Sequence, residues 1–140
     1  MAAKRLAFRQ LHQRGCFIIP NPWDVGSALY LQSLGFKALA TTSSGLAWSQ
    51  GRSDNRISRD VALSHMRHLV QATAVPINAD FEDGFAKDAS TVADNVAMAL
   101  DTGVAGLSIE DSTFNPQQPL YEVSVAAERI AAARGDVRCH

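Results

Sequence analysis

The pattern of hydrophobic and polar residues alternates along the chain between short apolar runs and longer segments with helical spacing. A short, continuous apolar run is typical of a buried strand, whereas apolar residues three or four positions apart indicate one face of a helix. In residues 91–102, for example, Val92, Val96 and Leu100 lie on one helical face, and Gly103 follows as a stop signal. The pattern therefore predicts alternating strands and helices.

The pattern predicts four strands and five helices. Strands are predicted at residues 16–19, 37–41, 76–79 and 104–109. Helices are predicted at residues 4–13, 25–33, 58–73, 91–102 and 123–133. Ser58 and Ser90 are predicted N-caps, because a serine hydroxyl accepts a hydrogen bond from the first helical turn. The segment containing Pro116 and Pro119 is predicted to be a loop, since proline lacks the N–H that a strand ladder requires.

Strands that alternate with helices form a parallel sheet through right-handed crossovers, which gives an α/β fold. Four such units are consistent with half of a (β/α)8 TIM-type barrel or with a small open α/β sheet. A complete barrel needs about 250 residues, whereas this chain has 140. We therefore expect a fragment, or a half barrel whose unpaired strand edges depend on a partner.

Composition and charge narrow the function classes. With 46% hydrophobic and 19% charged residues, the chain can form one compact domain. A formal net charge of −1 gives no general attraction to nucleic acid or to an anionic membrane, so neither is an expected partner. No signal peptide or membrane span is recognised. Cys16 and Cys139 form neither a disulfide framework nor a C-x-x-C pair, so a cytoplasmic location is expected.

Two acidic clusters follow predicted strands, in Asn78-Ala-Asp-Phe-Glu-Asp-Gly84 and in Ser108-Ile-Glu-Asp111. Because ligands bind at the carboxyl ends of parallel strands, carboxylates gathered there predict a divalent-metal site. The alternative is that these are ordinary loop and helix-capping acids. Glu82 and Asp83 in particular are expected to face solvent.

Five motifs, in order and at similar spacing, resemble the isocitrate lyase and phosphoenolpyruvate mutase superfamily. They are Asn21-Pro-Trp-Asp-Val-Gly-Ser-Ala, Thr42-Ser-Ser-Gly-Leu-Ala, Gly51-Arg-Ser-Asp, Asn78-Ala-Asp-Phe-Glu-Asp-Gly-Phe and Gly106-Leu-Ser-Ile-Glu-Asp. The resemblance extends from about residue 15 to residue 134. It implies the N-terminal half of a (β/α)8 barrel over residues 1–140, with the C-terminal half missing. It also implies a magnesium-dependent enzyme that converts a small α-keto acid through an enolpyruvate-like intermediate.

The resemblance implies specific metal ligands. Asp80 matches the second acid of the superfamily's Asp-Ala-Asp strand end and is the expected inner ligand. Asn78 stands where the first acid is usual, and its amide oxygen or a bridging water can replace a carboxylate at reduced affinity. Glu110 and Asp54 match acids that hold metal-bound water. Mg2+ is the expected cofactor, with Mn2+ as the alternative ion.

The resemblance also implies a substrate site. Ser44, Gly45 and Leu46 match the turn whose backbone N–H groups bind the substrate carboxylate, and successive N–H groups do form anion-binding concavities. The same residues could form an ordinary turn. Trp23 is expected to wall the pocket, although an aromatic side chain beside a strand end is often core packing.

The segment after Glu110 bears on the reaction. In the carbon–carbon lyase branch of the superfamily, the corresponding loop resembles Lys-Lys/Arg-Cys-Gly-His, whereas the loop of this chain has no cysteine. The phosphonomutase branch has an asparagine in this loop, and Asn115 does not match its spacing. We expect a phosphonomutase-like activity, or an oxaloacetate-type decarboxylase or hydrolase, rather than a lyase. No catalytic acid or base is assigned. The alternative is a truncated, inactive half barrel or an oligomer-forming scaffold, and a homo-oligomer is expected in either case.

Overall fold

The computed structural model describes residues 1–137, with six helices and five strands in that part of the chain. The helices are α1 (Ala2–Leu11), α2 (Val25–Ser33), α3 (Ser43–Ser49), α4 (Arg59–Ala72), α5 (Ala89–Asp101) and α6 (Val123–Val137). The strands are β1 (Leu39–Ala40), β2 (Ile77–Asp80), β3 (Gly106–Ser108), β4 (Ser112–Asn115) and β5 (Gln118–Leu120). None of the helices within residues 1–137 is long and apolar enough to cross a bilayer.

The first three strands form a parallel sheet in the order β1-β2-β3, with helices in the connections. Leu39 is opposite Ile77, and Asp80 is opposite Ser108. The predicted α/β class is confirmed. This register also brings the carboxyl ends of β2 and β3 to the same edge of the sheet, which is where both acidic clusters begin.

The prediction of a buried strand at residues 16–19 is wrong. This segment forms no strand, Cys16 is exposed, and Ile18 is 71% exposed. The chain meets the sheet only slightly later, where the Ala40 N–H donates to the Pro20 carbonyl oxygen at 3.0 Å. Pro20 has no N–H with which to bond a neighbouring strand. The segment thus borders β1 without joining the ladder.

Two elements appear where a turn and a loop were predicted. Residues 112–120 form an antiparallel hairpin of β4 and β5, with Ser112 opposite Leu120. Pro119 is tolerated there because β5 pairs only with β4, and an edge strand can leave one side of its backbone unbonded. The Thr42–Ser44 run begins helix α3, since the Thr42 hydroxyl accepts from the Gly45 N–H as an N-cap.

The core lies between the helices and one face of the sheet. Along β2, Ile77 and Ala79 are buried while Asn78 and Asp80 are half-buried, as the alternation of strand side chains requires. The helices cover the face of the sheet that carries Ile77 and Ala79. The large, fully buried apolar side chains of the core include Leu39, Met66, Leu69, Ile77, Phe81, Val92, Val96 and Val104. Asn78 and Asp80 therefore share the opposite face.

Helix α1 fastens the amino-terminal side of the sheet. The Lys4 Nζ donates to the carbonyl oxygens of Val70 and Thr73 at the end of α4. The Arg5 guanidinium donates to the carbonyl oxygen of Leu100 at 2.8 Å, near the end of α5. Cations there complement the partial negative charge of helix C-termini. These contacts lie at the end of the sheet opposite the acidic clusters.

Candidate metal and substrate site

Asp80, the last residue of β2, is held by backbone and hydroxyl groups of the β1–α3 connection. Its N–H donates to the Thr41 Oγ1 at 2.8 Å, and its Oδ2 accepts from the Ser43 N–H at 2.8 Å. Its Oδ1 accepts only a long contact of 3.4 Å from the Glu82 N–H. One carboxylate oxygen is therefore fixed while the other has capacity for a ligand. The sequence reasoning missed the contributions of Thr41 and Ser43.

Glu110 reaches the same edge of the sheet from β3. Ser108 pairs with Asp80, and Glu110 follows it by two residues. The Glu110 N–H donates to the Glu82 carbonyl oxygen at 2.8 Å, which ties the two acidic segments together. The structure thus brings both predicted clusters to one place.

Electrostatics show how closely the acids are gathered. Glu82 is only 5% exposed, and its pKa is raised to about 7 by burial first and then by the charges of Asp80, Asp54, Asp83 and Glu110. Burial first, and then the charges of Asp80, Asp54, Asp83 and Asp111, also raise the pKa of Glu110. In both cases the causes of the rise are burial and neighbouring acids. Such a cluster of acids attracts a cation.

Glu82 lies among these acids, which the sequence did not predict. It was expected to face solvent, and that expectation is wrong. Its φ of +46° lies in the left-handed region, which a glutamate seldom adopts. A turn of this kind cannot be inferred from the neighbouring residue types.

Asp54 and Asn78 are placed differently from Asp80. Asp54 lies in the exposed connection between α3 and α4, where its Oδ1 accepts from the Asn55 N–H at 2.9 Å. Its charge still raises the pKa of Glu82. Asn78 shares the face of Asp80 but lies two residues earlier, about 7 Å along the strand. Its amide packs over Gly106, where an added Cβ would come within 2.8 Å of the Asn78 Oδ1.

The three predicted amide donors lie in the first turn of α3. The Gly45 N–H donates to the Thr42 Oγ1 at 3.2 Å, and the Leu46 N–H donates to the Thr42 carbonyl oxygen at 3.1 Å. Within the described part of the chain, the Ser44 N–H has no hydrogen-bond partner. Ser44 is thus the amide that an anion could reach without displacing an existing bond.

Trp23 borders this turn. It is 50% exposed, and an added Cβ at Gly45 would come within 3.2 Å of the Trp23 Cβ and 2.6 Å of the Thr42 Cγ2. Glycine is therefore needed for this close approach. His65 is partly buried, and its Nε2 lies 3.0 Å from the Trp23 carbonyl oxygen. Burial lowers the His65 pKa, so the neutral ring is favoured.

The carboxylate oxygens at this edge of the sheet are the donor type that magnesium prefers. Within residues 1–137 no three or more His, Cys, Asp or Glu side chains form a ready metal cage, as a structural zinc site would require. Magnesium is usually bound through one or two carboxylates and keeps several waters. Asp80, with one oxygen available, and Glu110 on the neighbouring strand end match that requirement.

Comparison with known proteins identifies the family of this chain. The family model described as phosphoenolpyruvate phosphomutase matches residues 8–139. The 2-methylisocitrate lyase of Escherichia coli K12 is 31% identical over 118 residues, which are 79% of this chain and 40% of that protein.

Solved structures are similar over almost the whole chain. A protein of Burkholderia cenocepacia J2315, provisionally assigned as a lyase or mutase, has a TM-score of 0.97 and 48% identity over 99% of this chain and 50% of its own. A phosphonopyruvate hydrolase in complex with oxalate and Mg2+ has a TM-score of 0.89 and 26% identity over 95% of this chain and 48% of its own.

The extent of these matches bears on the architecture. The chain spans about half the length of the curated relatives it matches, and half of the Burkholderia protein. Its three parallel strands and their helices therefore correspond to half of a (β/α)8 barrel, as the resemblance implied.

Proposed function

Because the chain belongs to the phosphoenolpyruvate phosphomutase family, we propose that it acts on a small α-keto acid in a magnesium-dependent reaction that passes through an enolpyruvate-like intermediate. The observation that carries this proposal is the meeting of Asp80, Glu82 and Glu110 at one edge of the sheet. The family membership favours this enzyme over an inactive half barrel or a scaffold.

The acids have distinct proposed roles. The Oδ1 of Asp80, which accepts only the long contact from the Glu82 N–H, would bind Mg2+ directly, while Glu110 and Asp54 would accept hydrogen bonds from its waters. Asn78 would contribute an amide oxygen through water, because it lies deeper in the sheet. Bound Mg2+ would stabilise the negative charge that develops on the keto oxygen. Mn2+ has similar oxygen-ligand preferences and would serve as an alternative.

The first turn of α3 would bind the substrate carboxylate. The Ser44 N–H is available, whereas the N–H groups of Gly45 and Leu46 would first have to release Thr42. Trp23 would wall this side of the pocket, because its Cβ already lies beside the turn. The substrate's keto oxygen would then point toward Asp80, whose Oδ2 is bonded to the Ser43 N–H of the same turn.

The reaction type follows from what the hairpin contains. Residues 111–120 contain no cysteine. Cys16 is exposed and is distant from this hairpin in the sequence. Cys139 lies outside the described residues. A thiol acid or base is thus not supplied there, so we favour a phosphonomutase-like or oxaloacetate-type decarboxylase or hydrolase reaction. The likeness to a phosphonopyruvate hydrolase supports this choice. The likeness to 2-methylisocitrate lyase makes carbon–carbon cleavage the second candidate.

The setting of the enzyme is part of the proposal. We propose a cytoplasmic homo-oligomer, in which a second copy covers surface that one chain leaves open. An apolar cavity of about 670 Å³ lies beside the free edge of β3, between helices α1, α5 and α6. Light scattering over a range of protein concentrations measures the predicted association directly.

Cation binding tests the site. We expect the wild-type chain to bind Mn2+, detected by electron paramagnetic resonance, and Mg2+ to compete with it. Asp80→Asn should weaken Mn2+ binding at least about tenfold, because it removes the charge but keeps the shape. Asp94→Asn, on the exposed face of α5, is the matched control and should have no effect.

Turnover tests the chemistry. This chain, or this chain joined to the C-terminal half of a relative, should convert oxaloacetate and phosphonopyruvate with Mg2+ faster than a protein-free control does. After chelation the rate should fall to that of the control. Unchanged Mn2+ affinity in Asp80→Asn would refute the metal assignment. Turnover that survives complete chelation would refute the magnesium dependence.

A further inference from the structure

The β2–α5 loop, residues 81–88, follows Asp80 and contains Glu82. Its backbone carbonyl groups are bonded in an unusual way, because the carbonyl oxygens of five successive residues accept hydrogen bonds from only two side chains. The acceptors are the carbonyl oxygens of Asp83, Gly84, Phe85, Ala86 and Lys87, and the donors are Asn95 and Arg129.

Arg129 supplies three of these contacts. It belongs to α6, is only 2% exposed, and donates to the Ala86 carbonyl oxygen at 2.7 Å, to that of Lys87 at 2.6 Å and to that of Asp83. The ring of Tyr121 covers the guanidinium, whose Cζ lies 4.2 Å from the ring centroid. A guanidinium is suited to this arrangement because its donors form a rigid planar fork.

Asn95 supplies the other two contacts. It belongs to α5 and is 1% exposed. Its Nδ2 donates to the Gly84 carbonyl oxygen at 2.8 Å and to that of Phe85 at 3.4 Å. Its Oδ1 accepts from Arg59 at 2.9 Å, which fixes the orientation of the amide.

The loop needs such support because its backbone is strained. Glu82 and Phe85 have φ values of +46° and +56°, and Gly84 has a φ of +79°. Non-glycine residues in the left-handed region persist only where their surroundings over-determine the conformation. The five hydrogen bonds that Arg129 and Asn95 donate to the carbonyl oxygens of this loop fix its backbone conformation in this way.

The loop also controls the acids on both strands. The Glu82 carbonyl oxygen accepts from the Glu110 N–H at 2.8 Å, and the Glu82 N–H contacts the Asp80 Oδ1 at 3.4 Å. A displacement of the loop would therefore move three carboxyl groups relative to one another.

We propose that Arg129 and Asn95 are positioning residues that hold the β2–α5 loop, and with it the acids around Asp80, in the arrangement that binds the cation. This inference rests on the proposed function, since it assumes that the acids bind a divalent cation. Neither side chain would touch the cation or the substrate itself.

The test compares Mn2+ affinity with stability. We expect Arg129→Gln to weaken Mn2+ binding about 10- to 100-fold, as is typical when the support of a metal ligand is removed. Arg129→Lys should recover part of that loss, because an ammonium can donate to some of the three carbonyls. Arg134→Gln, at an exposed position of the same helix, is the control and should bind Mn2+ as the wild type does.

A merely structural role predicts a different result. A lower unfolding temperature with unchanged Mn2+ affinity, measured where each variant is fully folded, would overturn the proposal. Should Arg129→Gln fail to fold, Asn95→Ala provides the same comparison.

Amide hydrogen exchange separates this proposal from the proposed function. The Gly84 N–H, which donates to the Phe81 carbonyl oxygen at 2.8 Å, should exchange slowly in the wild type and faster in Arg129→Lys and Asn95→Ala. Equal rates would overturn the proposal. If the wild-type chain bound no Mn2+, the proposed function would fail, and the exchange rates would still show whether the two side chains fix the loop.

Discussion

Glu82 is a buried carboxyl group whose pKa is raised by burial and by four neighbouring acids. Its pKa of about 7 means that at neutral pH it is protonated in roughly half of the molecules. Protonation of Glu82 removes its own charge repulsion with Asp80, Glu110 and Asp54. A bound cation would shift this balance toward the ionised form, so the proton and the cation compete for the same cluster.

The pH dependence of stability follows from this pKa. The folded chain raises the Glu82 pKa from its ordinary 4.5 to about 7, so between these values it binds more protons than the unfolded chain. The free energy of unfolding should therefore fall as pH rises from about 4.5 to 7, by up to about 3 kcal/mol from this group. Urea unfolding at several pH values, with a chelator present, measures the fall.

Glu82→Gln isolates that contribution. The variant should match the wild type near pH 4 and should be more stable above pH 7, since a glutamine keeps the shape without the charge. Glu128→Gln, at an exposed position on α6, serves as the control. A wild-type advantage at pH 8 would show that the ionised Glu82 has a stabilising partner and would contradict the predicted repulsion.

Helix α5 shows how the choice of a cap depends on geometry. Ser90 was predicted as its N-cap, and this is wrong, because the helix begins at Ala89 with Asp88 as the cap. The Asp88 Oδ1 accepts from the Thr91 N–H at 2.9 Å and from the Ser90 hydroxyl at 2.7 Å. Both residue types favour N-caps, so the sequence alone does not decide between them.

We expect Asp88→Ala to lower the midpoint of thermal unfolding clearly more than Ser90→Ala does. The first change removes the acceptor for the Thr91 N–H, while the second removes only a donor to Asp88. Differential scanning calorimetry of both variants measures the difference. If Ser90→Ala lowered the midpoint of thermal unfolding as much as Asp88→Ala or more, Ser90 and not Asp88 would be the main cap.

Elements with regular periodicity were predictable from sequence. Helix α2 spans Val25–Ser33 as predicted, and α4 and α5 differ from prediction by at most two residues at either end. The failures lie where the long-range environment decides. The apolar residues 16–19 look like a strand but lack ladder partners, and the β4–β5 hairpin forms in spite of two prolines. Local composition does not show whether a segment will have a pairing partner in the folded chain.

The placement of the acids at one edge of the sheet was predictable from the sequence, but the residues that support them were not. The acids after β2 and β3 were found because parallel strands end at one edge, and the structure brings Asp80 and Glu110 to that edge. The buried position of Glu82 depends on its left-handed backbone, and the role of Arg129 depends on a contact across 46 residues. Neither follows from spacing along the chain.

At the scale of the whole molecule, the two ends of the sheet differ in the residues that they carry. The carboxyl end carries the acids, whereas the amino end is closed by α1 through Lys4 and Arg5. In barrels of this type, residues at the carboxyl end serve function and those at the opposite end serve stability. Changes at the amino end should therefore affect unfolding without affecting the cation.

Arg5 provides the test of that separation. Arg5→Met should lower the free energy of unfolding by about 1–3 kcal/mol, because it removes charge-assisted bonds to the carbonyl oxygens of Leu100 and Val104. Mn2+ affinity of the folded variant should be unchanged, since the substitution lies at the far end of the sheet. Arg9→Met, at an exposed position of the same helix, should alter neither quantity. Weaker Mn2+ binding in folded Arg5→Met would mean that the two ends are coupled through α5, whose first turn follows the loop that carries Glu82.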